Sequence, residues 1–298
     1  AAPAASLAVA TYRAGRLFTV GGNPDGGLSV FQRSFERCMG LWAAPDGQSF
    51  WMATKWQLWR FVNVLAAGRS HRGYDGLYVP RTGHTTGDLD LHDIALDAAG
   101  QPVFVATKFS CLARLSDRHS FRPGWRPPFI TALAPEDRCH LNGLAMLAGQ
   151  PAYASAAACT DTAEGWRACR GDGGVILAIA MGEVIASGLS MPHSPRWRHD
   201  RLWLLNAGAG QLGYLDPGGS GFTAVAWLPG FARGLAFAGH YAIAGLSAAR
   251  AEFSLDGLPL AEALRARNQA ALCGLAIIDL NTGAIAEWLR LEGAVREL

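Results

Sequence analysis

Lysine is nearly missing from this sequence. Of the 26 basic residues 24 are arginine, and the two exceptions are Lys55 and Lys108. Neither sign of charge dominates: 26 basic against 24 acidic side chains leave a formal net charge of +2 over 298 residues. That balance excludes a basic nucleic-acid-binding stripe or an acidic tail as the principal feature. No apolar run approaches the roughly 20 residues that cross a bilayer. The opening AAPAASLAVATYRAG has neither the basic start nor the long apolar stretch of a secretory signal, so a cytoplasmic location is expected. None of the six cysteines forms a CxxC pair, and reduced thiols are expected there; Cys159 and Cys169 flank a short polar segment and could bridge. A GxSxG elbow, a Walker loop and a dinucleotide fingerprint in a βα context are also absent.

Half of the residues are hydrophobic, enough for a large core. The length suits one large all-β domain over 1–298. The chain also repeats itself. Apolar, strand-like runs end in Ala-Thr-Tyr at 10–12, Ala-Thr-Lys at 53–55 and Ala-Thr-Lys at 106–108. Each is followed by a polar break and a second apolar run, which is how a hairpin reads. Looser copies follow at 151–159, 201–216 and 240–247. A further strand precedes most copies, starting near residues 37, 92, 140, 193 and 233, at intervals of 40 to 55 residues. Short strands repeating at that period are the signature of propeller blades. The expected fold is a six-bladed β-propeller. Its last blade would be closed by the N-terminal strands SLAVATY, RLFTVGG and GLSVFQR together with the C-terminal AVREL as inner strand. Closing the ring in this way hides the free edges of an open sheet.

Two blades carry insertions between their second and third strands, 159–174 and 248–272. The second contains PLAEALRARNQ, a short helical insertion near 256–270 with Leu260 and Leu264 on its apolar face. Both insertions should rise over the mouth of the axial channel where inner strands begin, as a lid or as rim decoration.

Aligning the inner strands brings His92, His140 and His193 into one column. The same column holds Arg37, Phe231 and, at the C-terminus, Glu297. Inner-strand starts ring the axis, so three imidazoles from successive blades should converge. The other five histidines show no register. Three imidazoles with an open position are the pattern of a catalytic transition-metal site, and Glu297 could complete it. A metal-free polar pocket is the other reading of such a column. Lys55 and Lys108 share the repeat position at the end of the second strand, on the same mouth, and could bind an anion or act as acid or base. Arg233, Arg196 and Arg138 would add positive potential. Asp93 is a candidate orienter of His92 or a base, and Glu136, with Asp137 and Asn142, lies near the mouth.

GNPDGGLSVFQRSF, GDLDLHDIALD, HSFRPGWRPPFITALAPEDRCHLNGLA, GLSMPHSPRW, LPGFARGLAF and SLDGLPLAEAL together resemble a bacterial conserved-hypothetical β-propeller family, described as a domain of unknown function and in some members fused to tetratricopeptide repeats. The resemblance covers essentially the whole chain and implies the propeller but no reaction. More distantly, the blade layout is similar to the gluconolactonase, paraoxonase and strictosidine-synthase propellers, which gather Glu, Asn and Asp ligands or a catalytic carboxylate at these inner-strand positions. Here His92, His140 and His193 stand there, a set that suits a divalent transition metal (Fe, Zn, Cu, Mn or Ni) rather than calcium.

The expectation is therefore a metal-dependent enzyme. It would act on a small anionic or carbonyl-containing substrate, with Lys55, Lys108 and Arg233 positioning the anion. The alternatives are a non-catalytic propeller that holds a small molecule or peptide in its channel, and a protein-docking scaffold. Nucleic acid and membrane are not expected partners.

Overall fold

The structure, a computed structural model, describes residues 6–23, 25–216, 218–219, 221–248 and 254–298. Six antiparallel sheets follow one another along the chain. The first has three strands, β1 (Leu7–Thr11), β2 (Arg16–Gly22) and β3 (Leu28–Ser34). The second is β4 (Leu41–Ala43), β5 (Ser49–Ala53), β6 (Gln57–Asn63) and β7 (Tyr78–Thr85). The third is β8 (Leu91–Leu96), β9 (Pro102–Ala106), β10 (Cys111–Arg114) and β11 (Arg122–Pro123). The fourth is β12 (Leu141–Leu147), β13 (Gln150–Ala156), β14 (Gly174–Ala178) and β15 (Glu183–Leu189). The fifth is β16 (Pro192–Arg198), β17 (Arg201–Asn206), β18 (Gln211–Leu215) and β19 (Thr223–Trp227). The sixth is β20 (Phe231–Ala238), β21 (Tyr241–Ser247), β22 (Gly274–Asp279) and β23 (Ile285–Arg290). Together they form a six-bladed β-propeller, as the repeat implies.

Burial within a blade explains its sequence. Strands sandwiched between neighbouring blades are buried on both faces and read as unbroken apolar runs, as in PVFVA of β9 and GVILA of β14. Outer strands such as β15 (EVIASGL) are mostly exposed and carry polar residues. The core lies between blades: Val105, Leu144, Ala154 and Leu177 pack one contact, and Leu205, Leu212, Leu235 and Leu246 another. Each such leucine contributes about 1.5–3 kcal/mol by burial.

Four inner strands share an irregularity near their heads. The pairing slips between Leu91 and Ile94, Leu141 and Gly143, His193 and Arg196, and Arg233 and Leu235. Such bulges bend a strand and re-aim its side chains. In β12 the bulge uses Gly143, where a Cβ would lie 2.3 Å from Pro195 Cδ and 2.4 Å from Ser155 Oγ.

The expected closing strand AVREL is not a strand. The chain beyond β23 is irregular, and its end is fastened to β21 instead: Ala248 N–H donates to Arg296 O (2.9 Å) and Leu298 N–H to Ser247 Oγ (3.1 Å). The helix forms where expected, as α1 (Pro259–Ala266), with Leu260 and Leu264 buried one turn apart. All six cysteines are free thiols, so Cys159 and Cys169 do not bridge. Among the described residues, no helix is long and apolar enough to cross a membrane.

Candidate metal centre

The histidine column closes on the axis. One ring nitrogen from each of His92, His140 and His193 lies within 4.8 Å of the others. An equilateral triangle of that edge has its centre about 2.8 Å from each corner, and metal–nitrogen bonds are about 2.0–2.1 Å. The rings meet edge-on or tilted, with centroids 4.8 Å apart for His92 and His140, 6.2 Å for His92 and His193, and 6.4 Å for His140 and His193. All three are largely buried, and His193 is only 3 % exposed.

The hydrogen bonds behind the rings fix their chemistry. His193 Nδ1 lies 2.9 Å from Met191 O, and His92 Nδ1 lies 2.9 Å from Asp90 O. A carbonyl oxygen only accepts, so both Nδ1 atoms carry the proton. Thr107 Oγ1, 2.8 Å from His92 Nδ1, gives its own proton to Leu141 O (2.6 Å) and so accepts as well. His140 Nδ1 donates to Asp137 Oδ2 at 2.9 Å. In every ring Nδ1–H is therefore occupied and Nε2 keeps its lone pair, the arrangement that orients histidines bound to metals.

Two of these supports are copies of one device. Asp90 (φ 52°) and Met191 (φ 48°) each stand two residues before their histidine in the left-handed conformation. That turn swings the carbonyl back under the ring. His140 differs: it is itself left-handed (φ 49°), and it takes its support from a carboxylate three residues earlier. Burial lowers His92 to about 4 against the opposing pull of the Asp90 carboxylate, and burial together with the charge of Arg233 holds His193 well below its ordinary value.

Both insertions cover this mouth. The first carries Trp166, stacked on His140 at 4.2 Å and donating from Nε1 to Asp137 Oδ2 at 2.9 Å. The second sends Leu255, Leu258, Leu260 and Leu264 into the same apolar cluster as Trp166, Met191 and Phe231. Arg170 fastens the two, donating to Ser254 O (3.4 Å) and Asp256 O (3.1 Å). Phe231, in the histidine column of the next blade, meets His193 edge-on at 5.4 Å.

The remaining candidates fall in three places. Arg233 and Glu297 sit beside the imidazoles: Arg233 Nη2 donates to Glu297 Oε1 at 2.7 Å, and its charge helps to keep His193 neutral. Glu297 is buried in that pair and is not one of the clustered metal-ligand group. Lys55 and Lys108 lie at the rim, in ion pairs with Glu36 (2.8 Å) and Asp88 (2.7 Å); Asp88 also receives Arg37 at 3.0 Å. Glu136 is at the rim too, receiving Arg138 Nε at 2.8 Å while Arg138 reaches Asp161 at 2.7 Å. Asp93 points away from His92 and ties blades together: it takes Arg196 through both oxygens (2.7 and 3.0 Å) and the amides of Ile94 and Leu144.

Sequence reasoning passed over Asp90, Asp137 as a support, Thr107, Trp166 and Tyr12. Tyr12 closes the column of Lys55 and Lys108 in the first blade, and its hydroxyl reaches Asp90 Oδ1 at 3.3 Å. Burial, then the charge of Asp90, raises its pKa. Asn142 stands out differently. It is 2 % exposed and lines the axial cavity with His92, His193 and Arg233; Ser155 Oγ donates to its Oδ1 at 2.7 Å, and its Nδ2 has no hydrogen-bond partner. A buried donor without an acceptor is costly, and the residue that carries it lines the cavity.

Six blades around an axis, with three pinned imidazoles at one mouth, define a β-propeller with a candidate metal centre. The chain belongs to the family described as a domain of unknown function (DUF4915), whose model matches residues 2–298. No curated protein matches it in sequence. Among solved structures it is similar to a chain of the nidogen/laminin complex (TM-score 0.55, 10 % identity, 96 % of this chain and 93 % of that one). It is also similar to virginiamycin B lyase from Staphylococcus aureus (TM-score 0.50, 12 % identity, 98 % and 83 %). At these identities the likeness is one of fold.

Proposed function

We propose that the protein is a metal-dependent enzyme that acts on a small anionic or carbonyl-containing substrate, at a transition-metal site held by His92, His140 and His193 in the central channel. The observation that carries this reading is the common occupation of all three Nδ1–H groups in three histidines whose rings each bring one nitrogen within 4.8 Å of the others. Neutral imidazoles suit Fe, Zn, Cu, Mn or Ni, and three protein ligands leave a position open. When bound, such an ion supplies Lewis acidity toward a carbonyl or a water molecule.

The chain's own groups supply the rest. Asn142 Nδ2 is a donor for an oxygen on the substrate, and Arg233, held in place by Glu297, presents a fixed guanidinium on the cavity wall. Trp166 and the α1 cluster limit access of water from the histidine mouth. Asp137 and the carbonyls of Asp90 and Met191 hold the rings in place. The six free thiols accord with a cytoplasmic setting, and the near-neutral charge accords with a small-molecule or peptide ligand rather than nucleic acid or membrane.

Titration of the protein with each of the five ions, followed by acetohydroxamate as a metal-seeking anionic probe, tests the reading. The expected result is one ion per chain and probe binding that requires it. Asn142→Ala should weaken the probe while leaving ion binding unchanged. Ion binding without any turnover across carbonyl and anionic substrates would favour the non-catalytic binding propeller.

A further inference from the structure

Each blade of a propeller ends in an outer strand with one unpaired edge. Five of these six edges are blunted. The pairing of β7, β15, β19 and β23 with the strand inside each carries a register shift, and β11 is only two residues long. Bulges and very short strands are the usual defences against edge-to-edge pairing. The outer strand of the first blade has neither. β3 pairs with β2 through seven successive residues without a shift. Among the described residues, no strand takes its other edge.

That edge is apolar as well as straight. Leu28, Val30 and Phe31 are 63, 57 and 58 % exposed. The bonds that flank the β2–β3 ladder, Asn23 N–H to Gly27 O (2.7 Å) and Phe35 N–H to Gly15 O (2.9 Å), set its alternation. Ser29, Phe31 and Arg33 fall in step with Gly27 and Phe35 and bond inward to β2. Leu28, Val30, Gln32 and Ser34 therefore turn their N–H and C=O groups outward.

We infer that β3 is a self-pairing edge that joins two copies of this chain through an antiparallel β3–β3 contact centred on Ser29. The occupant follows from the edge's own sequence. Outward-facing groups must meet outward-facing groups, so a ladder forms only where even-numbered residues oppose even-numbered ones. Centring on Ser29 sets Leu28 of each copy against Val30 of the other, two apolar cross-strand pairs on one face. It also brings each Arg33 to the turn of the other copy that carries Asp25, where Asp25 Oδ1 accepts Gly27 N–H at 3.1 Å. Opposite charges thus meet at both ends of the contact. Centring on Val30 or Phe31 leaves Leu28 against a polar side chain, Gln32 or Ser34. The contact lies on an outer strand, away from the axial cavity, and does not depend on the metal reading.

Ser29 falls on the two-fold axis of this contact, in a pair whose Cα atoms stand about 4.5 Å apart, within reach of a disulfide. Ser29→Cys should therefore cross-link to itself in oxidised glutathione. Gln32→Cys, set against Gly26 of the other copy, should stay at the background of the parent with its exposed Cys159. In sedimentation equilibrium the parent should form a concentration-dependent dimer, and Val30→Lys should weaken it about ten-fold or more. A parent that stays monomeric, a dimer indifferent to Val30→Lys, or equal cross-linking of the two cysteine variants would each overturn the inference. A monomer that instead binds an added Val-Thr-Val-Thr-Val peptide along β3, seen as slowed amide exchange at Val30, would assign the edge to a foreign strand and equally overturn it. Metal content should not differ between the parent and Val30→Lys.

Discussion

Two columns of the same repeat meet the same mouth and behave differently. The column at the inner-strand heads sends His92, His140 and His193 toward one point, inside the channel. The column at the second-strand ends sends Lys55 and Lys108 to rim carboxylates, Glu36 and Asp88, while Tyr12 reaches Asp90, the residue whose carbonyl supports His92. Distance from the axis explains the contrast. Inner strands stand close together, so equivalent side chains converge. Second strands stand farther out, so equivalent side chains each meet a different local partner. A repeat position thus becomes a shared site only on the innermost strand.

The largest effect expected from this contrast is loss of the metal. His140→Ala or His193→Ala should reduce bound transition metal from about one equivalent to below about a tenth, measured on purified protein. A change of the same size in Lys108→Met would break the distinction between the columns. Next come the supports. Asp137→Asn should weaken metal binding about 10–100-fold, the usual cost of removing a carboxylate behind a ligating histidine. Asp90→Asn should cost less than about 3-fold, because His92 is held by the Asp90 carbonyl while its carboxylate is 3.8 Å away. Titrations of the two variants compare side-chain with backbone support directly.

Acid should expose the buried rings. In metal-free protein the folded state keeps His92 near 4 while an unfolded chain protonates it near 6.5. The unfolded state then binds more protons between those values, so stability falls as pH drops from about 6.5 toward 4, by at most about 3 kcal/mol for this group. Denaturant melts at pH 7 and pH 5 should show a loss to which His193 also contributes, and His92→Phe should remove the His92 share of it while leaving the rest. The smallest effect belongs to the rim. Lys55→Met and Lys108→Met break partly exposed ion pairs, worth about 0–1 kcal/mol each, and should leave metal content unchanged.

The blade count and the histidine column were legible because both follow from strand period and register, which are local properties of the chain. The supports were not. Asp93 resembles a partner for its neighbour His92, yet strand alternation turns it to Arg196, 103 residues away. Asp90 acts through a carbonyl, which no side-chain pattern reveals. Trp166 arrives from an insertion whose path depends on packing against the second insertion. AVREL carries an apolar-polar pattern fit for a strand, but its end pairs with the tip of β21 rather than with β1.

Elemental analysis is the most direct test of the central claim that three pinned imidazoles make a metal centre. The protein and its His140→Ala variant would be purified without chelator, exposed to Fe(II), Zn, Cu, Mn and Ni in turn, and desalted. About one equivalent of a transition metal per chain is expected in the parent and almost none in the variant. No stoichiometric metal in the parent with any ion, or equal content in both proteins, would contradict the claim.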